Sequence, residues 1–77
     1  MYRYCSDVVI HIDEELADDD IHALEREIGA VSGVYSACVN DRARHLLLVD
    51  YDPEGVKAGE LLGLVRQRGV GAELIGL

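Results

Sequence analysis

Two stretches of helical hydrophobic period, each bracketed by short β-branched runs, constrain this 77-residue chain more tightly than its composition does. Ile21, Leu24, Ile28 and Val31 recur at i, i+3, i+7 and i+10, which is one apolar face of a helix. Asp18 to Asp20 precede that face and offer an N-cap with acids in the first turn, where the helix dipole favours them. Ser32-Gly33 ends this helix. Ala58, Leu61, Leu62 and Val65 outline a second amphipathic helix that stops at Gly69. Between and around them lie strands. Val8-Val9-Ile10-His11-Ile12 is the first, and Val34 to Val39 the second, with Asn40-Asp41-Arg42-Ala43 as the turn that follows. Arg44 to Tyr51, centred on Leu46-Leu47-Leu48-Val49, is the strongest. Asp52-Pro53-Glu54-Gly55 breaks it, because Pro fixes φ and donates no hydrogen bond. Val70 to Ile75 reads as a fourth strand.

The order β-α-β-β-α-β packs most simply as two helices on one face of a four-stranded antiparallel sheet, an α+β ferredoxin-like plait. Right-handed crossovers place the first and third strands in the centre. Residues 1–77 form one domain, since no Pro/Ser-rich linker or low-complexity tract divides them. Such a fold hosts many functions, so function must come from particular residues.

Charge narrows the choice. Seven bases against fifteen acids give 7 − 15 = −8. Nucleic-acid affinity comes from Lys and Arg neutralising phosphates, so this balance argues against a nucleic-acid partner, and equally against a polybasic membrane anchor. No apolar run reaches transmembrane length, so no membrane insertion is expected. The opening Met1 to Asp7 is too polar for a signal-peptide core. Cys5 and Cys38 are too few and too far apart for a disulfide framework or a cysteine zinc site. A soluble, cytoplasmic domain is expected. The acids are uneven: residues 1–40 carry 2 − 9 = −7 and residues 41–77 carry 5 − 6 = −1. Asp13, Glu14, Glu15, Asp18, Asp19 and Asp20 make up most of the excess.

Several segments stand in the register of a known family. They are Ser32-Gly33-Val34-Tyr35-Ser36-Ala37-Cys38-Val39-Asn40, then Tyr51-Asp52-Pro53-Glu54, then Gly69-Val70-Gly71-Ala72-Glu73-Leu74. Together they resemble the heavy-metal-associated domain of copper chaperones and of metal-pumping ATPases. Leu24, Ile28 and Val31 fall on that family's core positions, so the resemblance covers nearly the whole chain. It implies the plait and a metal-transport setting. The family's metal loop, Gly-Met-x-Cys-x-x-Cys, does not carry over. Its two thiolate positions fall on Ala17 and Asp20, and the family's tyrosine beside the metal is replaced by Val70. Cu(I) selects soft sulfur, whereas carboxylate is hard. No Cu(I) cofactor held through two cysteines is therefore expected.

The loop admits other readings. Asp18 and His22 stand at i, i+4 and Asp19 and His22 at i, i+3, so each pair could face a divalent metal such as zinc. The glycine and terminal glutamate of a calcium-binding helix-loop-helix are missing. The same acids equally suit a solvated helix N-terminus, or docking to a basic partner. His11 and His45 read as surface residues. A Cys5–Cys38 bridge within one chain is disfavoured, because strand three separates their strands.

Catalysis finds no constellation. No Ser or Cys stands with a His as an activated nucleophile, no glycine loop cradles phosphate, and the acid-filled loop lacks the arginine an acylphosphatase needs. An RNA-binding plait would show aromatics where this chain has Leu46 and Leu48. Gly59 and Gly63 form a small-x-x-x-small pair, which on such a helix means tolerated surface or close packing. The more informative residues follow from alternation. With Leu47, Val49 and Tyr51 inward, Leu46 and Leu48 point away and join Val9, Cys38 and Ile75 on the uncovered sheet face, rimmed by His11, Asp50 and Glu73. The patch reads equally as an interaction site, for a protein partner or a homodimer, and as the scattered surface hydrophobes common on small proteins. The expectation is a non-enzymatic interaction module, with a metal-homeostasis protein using Asp and His ligands as its alternative.

Overall fold

The computed structural model describes residues 6–40 and 42–76. Its elements run β1 (Ser6–Ile12), α1 (Asp18–Gly29), β2 (Val34–Asn40), β3 (Ala43–Tyr51), α2 (Ala58–Arg66) and β4 (Ala72–Gly76). The strands form one antiparallel sheet in the order β2-β3-β1-β4, so β1 and β3 are central as the crossover rule requires.

Register explains the core. Val8 lies opposite Val49 and Ile10 opposite Leu47 across β1–β3, while Ala37 and Val39 of β2 meet the same two β3 residues from the other side. These side chains share one face, and Val8, Ile10, Ile12, Leu47 and Val49 are fully buried on it. Leu24 and Ile28 of α1, with Leu61 and Val65 of α2, close over them. Each such burial contributes roughly 1.5–3 kcal/mol. An ion pair between Arg68 Nη1 and Glu27 Oε1 at 2.6 Å links the end of α2 to α1.

β1 begins at Ser6, β2 reaches Asn40, β3 begins at Ala43 and β4 reaches Gly76, each one or two residues beyond the sequence reading, and four further ends differ for visible reasons. The N-cap of α1 is Ala17, with no side-chain cap, rather than one of the three aspartates. Ile21 N already donates to Ala17 O at 3.0 Å, which draws Asp18 to Asp20 inside the first turn. The same helix stops at Gly29, because Val31 N donates to Ile28 O and Val34 N to Val31 O in tighter turns. Val31 still packs on the core from beyond the helix. α2 ends at Arg66 for a like reason: Arg68 N bonds Val65 O and Gly69 N bonds Arg66 O. β4 begins at Ala72 rather than Val70, since the backbone of Gly71 is engaged elsewhere. Asp13 N donates to Gly71 O at 2.8 Å, and Gly71 N donates to Glu14 Oε1 at 2.8 Å.

Two described glycines, Gly33 and Gly69, have positive φ, and at the first the neighbours also exclude a side chain. Gly33 has φ +96, and a Cβ there would stand 3.2 Å from both the Gly55 carbonyl carbon and Val56 Cγ1. The chain leaving α1 is thereby pressed against the turn after β3. Gly59 and Gly63, by contrast, face open space, which settles their pairing as tolerated surface. No helix among the described residues is long and apolar enough to cross a membrane.

Candidate functional site: the acidic loop and the open sheet face

In the loop between β1 and α1 and the first turn of α1, Glu14 and Asp18 are held by contacts distant in sequence and Asp13 by a near neighbour. Asp13 Oδ1 lies 3.2 Å from His11 Nδ1, and Glu14 is tied to Gly71. Asp18 Oδ1 accepts from Arg44 Nη2 at 2.6 Å, and the same nitrogen reaches Leu16 O at 3.4 Å. The Arg44 hydrogen bond and its positive charge hold the Asp18 carboxyl below its ordinary value, with a smaller push from His22. His22 Nδ1 stands 3.4 Å from Glu25 Oε1. Glu25's other oxygen, Oε2, accepts from the backbone N–H of Val39 at 2.8 Å, tying α1 to strand β2.

Of the residues proposed to face a divalent ion, Asp18 is thus turned to Arg44 and His22 to Glu25, while Asp19 is exposed on the first turn. Among the described residues no three His, Cys, Asp or Glu side chains converge to hold a metal. Ala17 and Asp20 are both exposed at the start of α1. Val70 packs against the core.

The opposite sheet face carries the other expected residues. Val9 lies across from Leu48, His11 from Leu46, and Cys38 from Leu48 on the far side. Leu48 is 43% exposed and Ile75 51%, and Val9 and Leu46 are half-buried beside them. Cys38 is exposed and bridges to no other described residue; Cys5, whose bridge to it the sequence disfavours, lies outside the described residues. His11 faces Glu73 across β1–β4. Asp50 is half-buried, and its Oδ1 is enclosed without a hydrogen-bond partner.

His45 corrects the surface reading. It is half-buried, its Nδ1 is 2.7 Å from Ile12 O, and its ring stacks on His11 with centroids 5.8 Å apart at 15°. The pairing of β1 with β3 is the signal that brings these imidazoles together, and sequence alternation alone separates them. Tyr35 was likewise not singled out, although it is the most exposed of the large apolar side chains described.

Two helices over a four-stranded antiparallel sheet of order β2-β3-β1-β4 define the chain as a ferredoxin-like α+β domain. Several solved structures share that fold closely. The N-terminal domain of a potential copper-translocating P-type ATPase from Bacillus subtilis, in its Cu(I)-loaded state, is 22% identical with a TM-score of 0.83, covering 94% of this chain and 89% of that one. The copper chaperone of Enterococcus hirae in its apo form is also 22% identical, at a TM-score of 0.78, covering 88% and 98%. Oxidized MerP from Ralstonia metallidurans is 14% identical at 0.79, covering 91% and 96%. The chain therefore has the fold that the heavy-metal-associated resemblance implies. No protein-family model matches the sequence, and no curated protein matches it.

Proposed function

We propose that this chain is a non-catalytic interaction module built on the heavy-metal-associated fold, without that family's two-thiolate Cu(I) site. The observation that carries it is the open sheet face, where Leu48 and Ile75 stay 43% and 51% exposed beside Val9 and Leu46. Exposed leucine on a central strand is costly unless another surface covers it. Ala17 and Asp20 support the second half of the reading, since neither methyl nor carboxylate offers the soft sulfur Cu(I) selects. A divalent-metal role for Asp18, Asp19 and His22 draws less support, because Arg44 and Glu25 already engage two of the three.

The test combines mass and metal. Light scattering across protein and salt concentrations reads self-association through the face. Two chains at −8 repel, so a homodimer strengthens as salt screens them. Leu46→Thr with Leu48→Thr abolishes association and leaves the fold intact. A monomer under all conditions counts against self-association and leaves the face to a different protein or to no partner at all. A competition titration against a Cu(I) chelator finds no tight one-to-one site, and such a site, lost on changing Ala17 or Asp20, would overturn the reading.

A further inference from the structure

At the end of the sheet away from the acidic loop, β2 bulges against β3. Val34 lies opposite Tyr51 and Ser36 opposite Asp50, so Tyr35 has no residue across from it. A bulge re-aims a side chain. Tyr35 is 59% exposed and forms one wall of a cleft of about 250 Å³, whose other described walls are Asp52, Pro53 and Glu54. The far wall is firmly held. Asp52 N donates to Gly33 O at 2.7 Å, Gly55 N to Asp52 O at 2.9 Å, and Glu54 N to Asp52 Oδ1 at 3.0 Å. Among its described residues, the cleft thus sets a tyrosine beside two acidic residues and no basic one.

We propose that this cleft receives an arginine side chain of a protein partner. Its volume falls below the roughly 300 Å³ at which pockets for drug-sized molecules begin, and suits one side chain. A guanidinium is planar, stacks on aromatic rings and pairs with carboxylates through a fixed fork of donors, so it uses both kinds of wall at once. Lysine brings a point charge and cannot stack in that way. A metal ion is a poorer fit, because the described walls supply two carboxylates, fewer than such an ion takes. The net charge of −8 favours encounter with a basic partner. This site shares none of its described residues with those assigned to the open sheet face, and its test is separate.

The test is a titration of the protein with a capped Gly-Arg-Gly peptide, followed by amide NMR. The controls are the same peptide carrying citrulline, the neutral isostere, and one carrying lysine. The expected result is saturable shifts at Tyr35, Asp52 and Glu54 with arginine and none with citrulline. Tyr35→Ala should weaken binding about two- to fivefold, as loss of an exposed cation–π contact implies. Glu54→Gln should weaken it further and flatten its salt dependence, while the remaining spectrum reports an intact fold. Equal response to citrulline, an unchanged affinity in Tyr35→Ala, or no shifts at all would overturn the proposal. So would shifts centred on Glu15, Asp19 and Asp20. A lysine peptide as tight as arginine would overturn the choice of guanidinium.

Discussion

Leu47 and Leu48 are neighbours on β3 with the same side chain, and the fold assigns them opposite fates. Leu47 is fully buried between the sheet and the helices, whereas Leu48 is 43% exposed on the other face. Leu47→Ala removes buried methyl groups and leaves a cavity, at a cost of about 2–5 kcal/mol. A 77-residue domain of this kind has a total stability on the order of 3–5 kcal/mol. The variant should therefore be mostly unfolded, or close to it. Full burial of a leucine is worth ~1.5–3 kcal/mol, and Leu48 realises little more than half of that. Alanine keeps part of the remainder, so Leu48→Ala should cost roughly 1 kcal/mol or less. Urea denaturation followed by far-ultraviolet circular dichroism measures both, with the slope checking that the transition stays cooperative. The comparison belongs at low protein concentration, because a homodimer would add a concentration-dependent loss to Leu48→Ala alone. Equal losses for the two variants in the monomer would refute the assignment of faces, and with it the open apolar surface.

Gly33→Ala should destabilise the fold by at least about 1 kcal/mol, from left-handed strain together with the 3.2 Å approach to Gly55 and Val56. Gly63→Ala, in open space within α2, should instead raise stability by roughly 0.5–1 kcal/mol in the same denaturation assay. Arg44→Gln should return the Asp18 pKa upward toward 3.8, read by carboxyl NMR titration. Because folding lowers that pKa, the ion pair stabilises above the ordinary carboxylate range and is lost as pH falls through the folded value. The variant should therefore lose less stability than the parent over that acidic window, and an unchanged Asp18 titration would contradict the pairing. Glu25→Ala should speed hydrogen exchange at the Val39 amide about tenfold, whereas Glu25→Gln, which keeps an acceptor, should speed it less.

What could be read from the chain was whatever depends on local period. Leu47, Val49 and Tyr51 alternate with Leu46, Leu48 and Asp50, so β3 and its two faces were legible, and Pro53 marked its end. Leu24, Ile28, Leu61 and Val65 likewise announced both helices and the face each buries. The errors arose where a distant residue decided the outcome. Asp18 has the chemistry of an N-cap, but Arg44 from β3 takes its carboxylate and Ala17 holds the cap position. Val70 and Gly71 look like strand, but Asp13 and Glu14 claim the Gly71 backbone. The His11–His45 stack and the bulge at Tyr35 depend on strand register, which alternation alone does not specify.

The Glu25 carboxylate on Val39 also bears on how such a domain can assemble. β2 and β4 are the two edges of the sheet, where unpaired backbone groups invite another strand. Glu25 covers a donor on β2, and Arg66 Nε covers the Ala72 carbonyl on β4 at 3.0 Å. Lengthwise growth, strand added to strand, would have to break these helix-borne bonds first. Face-to-face contact breaks neither, and it ends with a single partner, since the reverse side of each sheet is already filled by its own helices. An assembly through the open face would therefore close at two stacked sheets, whereas growth at the edges would leave a further edge to extend.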